Sequence, residues 1–285
     1  MKKSSIALFL TLILLAVLAC TFTEGLPATS SATRSTVTVI ATSSSIPTLP
    51  PTNTHTPEPT PTPYQAAFGI DYAHPEKYLE GGEQTKLSDP TKLKGLKRIT
   101  GQSIKELEQI YAWLKSSFTP YQAGGDTIGK VTVDELLEER KLGGCHDHGL
   151  VYAGVARELG YPAVMVHTVS IAWVELYQSG NPNPHIGHMF VEVYLNGTWV
   201  LIDATNGWYV ESGYDPTNPV IPLQGSIAGS SEEIYGFYVE RKSLDSWDSG
   251  IHSMKDTTRA MDELAEALDL AEIVYPTYTF KHFQR

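Results

Sequence analysis

The chain has 285 residues, with 21 basic against 32 acidic side chains, a formal net charge of −11 and 41% hydrophobic residues. An acidic chain without a basic block argues against nucleic-acid binding, which depends on neutralising phosphates. Two cysteines cannot build a disulfide framework. The length overstates the folded part, because roughly the first sixty residues do not read as a domain.

At the start, Lys2 and Lys3 precede an apolar run from Ile6 to Ala19 and the dipeptide Ala19-Cys20. A charged opening, a short apolar core and a small residue before the cut describe a secretory signal over residues 1–19. The run is shorter than the roughly 20 residues a spanning helix needs. Val17-Leu18-Ala19-Cys20 resembles a bacterial lipobox, with Leu18 where a small residue is commoner. That resemblance implies lipidation of Cys20. It implies an extracytoplasmic protein held at a bacterial membrane by acyl chains, without a spanning helix. An ordinary signal peptide with an incidental cysteine is the alternative. Residues 20–63 are expected to be a tether. Of the 43 residues from Thr21 to Pro63, 27 are Thr, Ser or Pro. The Thr-Pro alternation from Thr56 to Pro63 favours extended polyproline II and offers no apolar face.

Residues 64–285 remain, 222 residues with a net charge of −12, enough for one well-buried domain. Ser103-Ile104-Lys105-Glu106 has the form of a capping box. Behind it, Ile104, Leu107, Ile110, Tyr111, Leu114 and Phe118 follow helical spacing over 104–118. A second capping box, Thr132-Val133-Asp134-Glu135, predicts a short helix to about Lys141, broken by Gly143-Gly144. A third helix is expected from Cys145 to Leu159, closed by Gly160 and Pro162. The β-branched run 163–172 reads as a strand. Gly187–Leu195 and Thr198–Ala204 flank Asn196-Gly197, a strong hairpin signal. Residues 205–250, rich in Gly, Pro and Ser, read as mostly loop. An amphipathic helix is expected from Ser253 to about Val274. Helices first and strands later indicate an α+β fold.

A two-residue turn at Asn196-Gly197 pairs Leu195 with Thr198 and places Phe190 opposite Asp203. His188 shares the face of Phe190 and becomes a diagonal neighbour of Asp203, roughly 7–8 Å away at the backbone and within side-chain reach. Met189, Val191, Val193, Leu195, Val200, Ile202 and Ala204 form the other, wholly apolar face, which is expected to be core. Cys145, the domain's single cysteine, is expected to open a helix directly after two glycines. There, unpaired backbone N–H groups and the helix dipole favour a thiolate. Its own N–H is also placed to donate to an oxyanion. Nucleophile, base and orienting carboxylate are thus all at hand.

Four segments carry a family resemblance: Gly144-Cys145-His146-Asp147, Leu159-Gly160-Tyr161-Pro162-Ala163, His188-Met189-Phe190-Val191-Glu192-Val193 and Trp199-Val200-Leu201-Ile202-Asp203-Ala204-Thr205. Together they resemble the transglutaminase-like superfamily core over about residues 100–210. The resemblance implies a transglutaminase-like, cysteine-proteinase fold with N-terminal helices packed on an antiparallel sheet. It implies the catalytic triad Cys145, His188 and Asp203. Two departures are Phe190 in place of a tryptophan and Val164 where an arginine is frequent. A second oxyanion donor has only Tyr121 and Gln122 as candidates. Asp147 reads as structural, bonding backbone near the helix start. Cys145, His146, His148, His185 and His188 are ligand-type residues, but no pair has a familiar metal spacing, so neither metal nor other cofactor is expected. His185 sits in a Pro-rich loop, where an exposed polar histidine is ordinary. Trp173, Trp199 and Trp208 are candidates for core or for a cleft wall that excludes water, and His167 receives no role.

The expectation is therefore a surface-anchored thiol enzyme. Cys145 attacks an amide or peptide carbonyl to form a thioester, His188 moves the proton and Asp203 holds the imidazole. Hydrolysis is favoured over protein cross-linking, and a non-catalytic substrate-binding module is the rival from another class. The expected partners are a protein or peptide substrate of the cell surface or cell wall, and the membrane through the N-terminus.

Overall fold

The computed structural model describes residues 68–97, 103–121, 125–223, 225–226, 233–234 and 236–284. The expected signal segment 1–19, the lipidation residue Cys20, the tether 20–63 and Gln122 lie outside these. Residues Tyr64–Arg285 form one compact unit. Among the described residues, no helix is long and apolar enough to cross a membrane.

The helical layer comes first in the chain. Helix α1 (Ile104–Ser117) buries Leu107, Ile110, Trp113 and Leu114, the stripe its spacing predicts. Strand β1 (Thr119–Pro120) follows, then helix α2 (Val133–Glu139) and strand β2 (Lys141–Leu142), which pairs parallel to β1. Thr132 caps α2 as expected, its hydroxyl accepting from the Glu135 N–H while the Glu135 carboxylate accepts from the Thr132 N–H. Helix α3 (Cys145–Glu158) is buried on every side, with all of His146–Arg157 out of solvent. It closes at Gly160, which takes φ +91° while its own N–H donates to Arg157 O and the Tyr161 N–H to Ala156 O.

Strands β3 (Ala163–Ser170), β4 (Gly187–Leu195), β5 (Thr198–Asp203), β6 (Trp208–Ser212), β7 (Val220–Ile221), β10 (Phe237–Ser243) and β11 (Thr279–His282) form a seven-stranded antiparallel sheet. Its order is β11-β6-β5-β4-β3-β10-β7. Strands β8 (Gly225–Ser226) and β9 (Glu233–Ile234) pair separately. The architecture is α+β, helices packed on an antiparallel sheet. In the β4–β5 hairpin, Leu195 pairs with Thr198 and Val191 with Ile202, the register that a two-residue turn dictates. Asn196 (φ 50°) and Gly197 (φ 87°) both take left-handed backbone, as a type I′ turn requires. The apolar face joins the main core with α3: Met189, Val191, Val193, Leu195, Ile202 and Ala204 are buried there, with Val200 packed against them.

Gly149 sets the spacing between the two layers. A Cβ at this position would lie 2.6 Å from Met189 Cγ, so the first turns of α3 rest directly on the start of β4.

Four local readings are corrected. Ser103 makes no side-chain cap; Glu106 is buried and accepts from the Tyr161 hydroxyl, because a tertiary partner outcompetes the local backbone. The strand at 163–172 stops at Ser170, whose hydroxyl accepts from the Trp173 N–H and opens helix α4 (Ile171–Gln178). Residues 205–250 hold β6, β7 and β10 as well as loops, since β10 finds its partner in β3 from about seventy residues away. The last helix, α5 (Met254–Ala267), ends seven residues early, and Asp269 caps a separate 3-10 turn at Leu270–Glu272. The hairpin's second face is covered as well. Phe190 and Leu201 are buried beneath Phe68, Phe237, Tyr278 and Phe280, and Trp199 beneath Tyr72 and Tyr78.

Candidate active site

Cys145 is the first residue of α3, half-buried and not in a disulfide. The turn before it is held from within the helix: the Gly143 N–H donates to Asp147 Oδ2 at 2.7 Å. Asp147 is fully buried. Burial opposes its ionisation, but His146, the Gly143 N–H and Thr127 outweigh it and hold the carboxyl below the usual range. His146 continues the support, with Nδ1 3.3 Å from Asp147 Oδ1 and Nε2 2.8 Å from Ser246 Oγ. Asp147 thus bonds the backbone at the helix start, as its position suggests.

His188 stands near the start of β4 and Asp203 at the end of β5, both at the open end of the hairpin. His188 Nε2 lies 3.0 Å from Asp203 Oδ2, an ion-pair contact. The imidazole also hydrogen-bonds the Cys145 side chain, which leaves Nδ1 as the nitrogen for the thiol. Burial opposes the imidazolium, but the charge and contact of Asp203, then those of Cys145, raise the His188 pKa well above the ordinary histidine value. Asp203 answers in kind. Burial raises it, yet His188 and Asn206 hold it below the usual carboxylate range. The three residues named from the sequence therefore meet in one place.

Apart from Phe190, the groups that orient this pair escaped the sequence reading. Asp203 Oδ1 accepts from the Thr205 and Asn206 N–H groups, and Asp203 Oδ2 from Asn206 Nδ2, each at 2.9 Å. The Asp203-x-x-Asn206-Gly207 spacing is a legible turn signal for this. The imidazole is packed edge-on by Phe190 at 4.7 Å and flanked by Phe237 at 5.6 Å between ring centroids. Phe190 thus does a ring's packing work where the resemblance leads one to expect tryptophan. Phe237 comes from β10, which the local sequence did not reveal.

Cys145 and His188 open onto a cleft of about 190 Å³. Its walls include His167 and Thr168 of β3, and Glu240, Met254, Thr257 and Met261 from β10 and α5. Glu240 falls at the irregularity in the β3–β10 register, between Val239 and Arg241, and pairs with Arg241 Nε at 2.6 Å. His185 is not a free surface histidine. It stacks on Trp173 at 5.1 Å, and its Nε2 lies 2.8 Å from Asp262 Oδ1. None of Trp173, Trp199 and Trp208 lines the cleft. Trp173 is fully buried, Trp199 packs on Tyr72, and Trp208 stacks on His282. Tyr121 is turned to Thr127 and likewise does not line the cleft. His148 Nδ1 donates to Gly144 O at 2.8 Å. Among the described residues, no three His, Cys, Asp or Glu side chains are grouped to hold a metal ion.

Residues 94–204 match the model of a family described as the transglutaminase-like superfamily. No curated protein matches the chain. A solved structure from Cytophaga hutchinsonii, named as a candidate cysteine protease, aligns at 17% identity with a TM-score of 0.41. The alignment covers 61% of this chain and 48% of that one, so this chain matches about half the length of the solved protein.

Proposed function

We propose that this protein, whose residues 94–204 match the transglutaminase-like superfamily model, is a thiol enzyme acting on amide or peptide bonds. The observation that carries the reading is the contact of His188 with both Cys145 and Asp203, with Cys145 and His188 lining one cleft. In the proposed reaction the Cys145 thiolate attacks the carbonyl carbon and the C–N bond breaks. The His188 imidazolium gives its proton to the leaving amine, leaving a thioester on Cys145. His188 then takes a proton from water as the water attacks, and the thioester collapses to the acid and free thiol. Asp203 supports the imidazolium charge throughout. An amine in place of water would make the same enzyme a cross-linking acyltransferase. Hydrolysis is the preferred reading, and cross-linking the alternative. The lipobox-like segment ending at Cys20 supports a lipid-anchored, extracytoplasmic setting on a bacterial membrane, with surface proteins or wall peptides as the substrate class.

The test is alkylation of Cys145 by iodoacetamide at neutral pH, followed by mass spectrometry of the Cys145 peptide. His188→Ala is expected to slow it by tenfold or more, on the order of the contribution of a positioned base. A rate indifferent to His188 would sink the reading. Capture of an acyl group on Cys145 from a peptide mixture, released faster by water than by added amine, would distinguish hydrolase from transferase.

A further inference from the structure

The cleft's polar side chains are already matched to one another. Glu240 is paired with Arg241, His185 with Asp262, and His146 with Asp147 and Ser246. The His188 imidazolium faces Asp203 and Cys145. The Thr168 hydroxyl donates to His188 O at 2.9 Å, and the Thr257 hydroxyl to Ser253 O. His167 is buried and uncharged at neutral pH, since burial, then His146 and Arg241, push its pKa down to about 3. What the cleft offers a ligand beside the nucleophile is therefore carbon and sulfur. Three of the four methionines in residues 64–285 line it. Met254, Thr257 and Met261 are spaced three and four residues apart on α5, so they share one helix face. That face runs from Met254, 36% exposed, to Met261, which is buried. Met189 of β4 and Ile128 complete the apolar lining. The loop that carries Ile128 is fixed against the approach to α5. Trp247 Nε1 donates to Gly129 O at 2.6 Å, and a Cβ at Gly129 would lie 2.5 Å from the His252 carbonyl carbon. A charged group in this lining would lose its hydration, while each opposite charge nearby already has a counter-ion. An apolar group would instead take the exposed Met254 out of water.

We propose that Met254, with Ile128, Met189 and Met261, forms a subsite for an apolar side chain of the substrate, next to the carbonyl that Cys145 attacks. This names a substrate class for the thiol-enzyme reading and rests on it. Methionine is unbranched and polarisable, so the subsite accepts aliphatic and aromatic side chains of differing shape. Met254 is the specificity-determining residue, because it is the most exposed of the four and has the most surface for a substrate to cover.

Methanethiosulfonate probes test this on the full chain. The Cys145 thiolate attacks their sulfenyl sulfur, an S–S bond forms and methanesulfinate leaves, so the chemistry is constant while the appended group varies. Rates are read by mass spectrometry of the unreduced Cys145 peptide, each divided by the same probe's rate with free cysteine. The n-butyl probe is expected to outpace the methyl probe by roughly tenfold, less than three fully buried methylenes would supply. The 2-ammonioethyl and 2-sulfonatoethyl probes should both be slower than methyl. Met254→Ser is expected to bring the butyl-to-methyl ratio down to about threefold, and Met254→Leu to keep it near the parent's. A parent ratio near one, a charged probe as fast as butyl, or a ratio untouched by Met254→Ser overturns the proposal. Acyl groups captured on Cys145 from a peptide mixture should carry apolar residues at or beside the thioester carbonyl, and charged residues there overturn it as well. Failure of the underlying reading looks different. His188→Ala would then leave all four probes unaffected, whereas if the subsite alone is wrong the variant still slows them.

Discussion

Asp203 is gripped by more than its histidine, since the Asn206 side chain and two backbone N–H groups fix both of its oxygens. That grip decides the protonation of the pair. His188 sits above its unfolded value, so its contribution to stability is complete below that value and is lost as pH rises through the raised folded pKa. Asp203 sits below its own unfolded value, so its contribution is present above that value and is lost as pH falls through the depressed one. Removing the Asp203 charge removes the main force that lifts His188 against burial. In Asp203→Asn the His188 titration, followed by NMR of the ring protons, should move to lower pH. A midpoint that stays put would mean that Asp203 is not the partner that sets it. Asn206→Ala should move it in the same direction by less, because the two backbone donors remain.

At the level of elements, the site depends on how closely a helix end approaches a strand end. Gly149 allows that approach, and a methyl there meets Met189 at Cγ rather than at a flexible tip. Gly149→Ala is therefore expected to lose about 1–3 kcal/mol by overpacking, read from denaturant unfolding. It should also slow Cys145 alkylation, because α3 carries Cys145 and β4 carries His188. Unchanged stability and reactivity together would show that the two elements do not rest on each other as described. The hairpin that brings His188 to Asp203 was legible in the sequence because a type I′ turn and strict alternation leave one register. Helix α4 and strand β10 were not. Ile171–Gln178 reads locally as more strand, and Phe237–Ser243 gains its identity only by pairing with β3.

Across the whole molecule, the sheet's second face is stitched by a buried ion pair whose residues are not among those lining the cleft. Lys242 of β10 lies 2.5 Å from Glu192 of β4, with both side chains fully buried. Tyr72 donates to Glu192 and accepts from Lys242, and Pro216 O accepts a further Lys242 proton. Burial lowers the Lys242 pKa while Glu192 opposes the change. This network ties residues 68–78 and the loop at 214–216 to the strands that carry the catalytic candidates. Breaking one half leaves a lone buried charge, so Lys242→Met should lower stability by about 3–5 kcal/mol. Adding Glu192→Leu should return part of that loss, and a double variant no better than the single one would argue against direct coupling.

The sequence by itself determined what depends on local backbone chemistry and periodicity: the α2 cap, the closure of α3 at Gly160, the hairpin register with its apolar face, and a cysteine at a helix start. Those same features pointed to Cys145, His188 and Asp203. Only the tertiary structure decided what surrounds them. Phe237, Glu240, Met254 and Met261 come from chain far beyond the hairpin, and they reach the cleft through strand pairing and helix packing that no local pattern encodes. His167 shows the limit most plainly. In sequence it is one residue in a β-branched strand, and it comes to line the cleft only because β3 pairs with β4, a property of the assembled fold rather than of its neighbours in the chain.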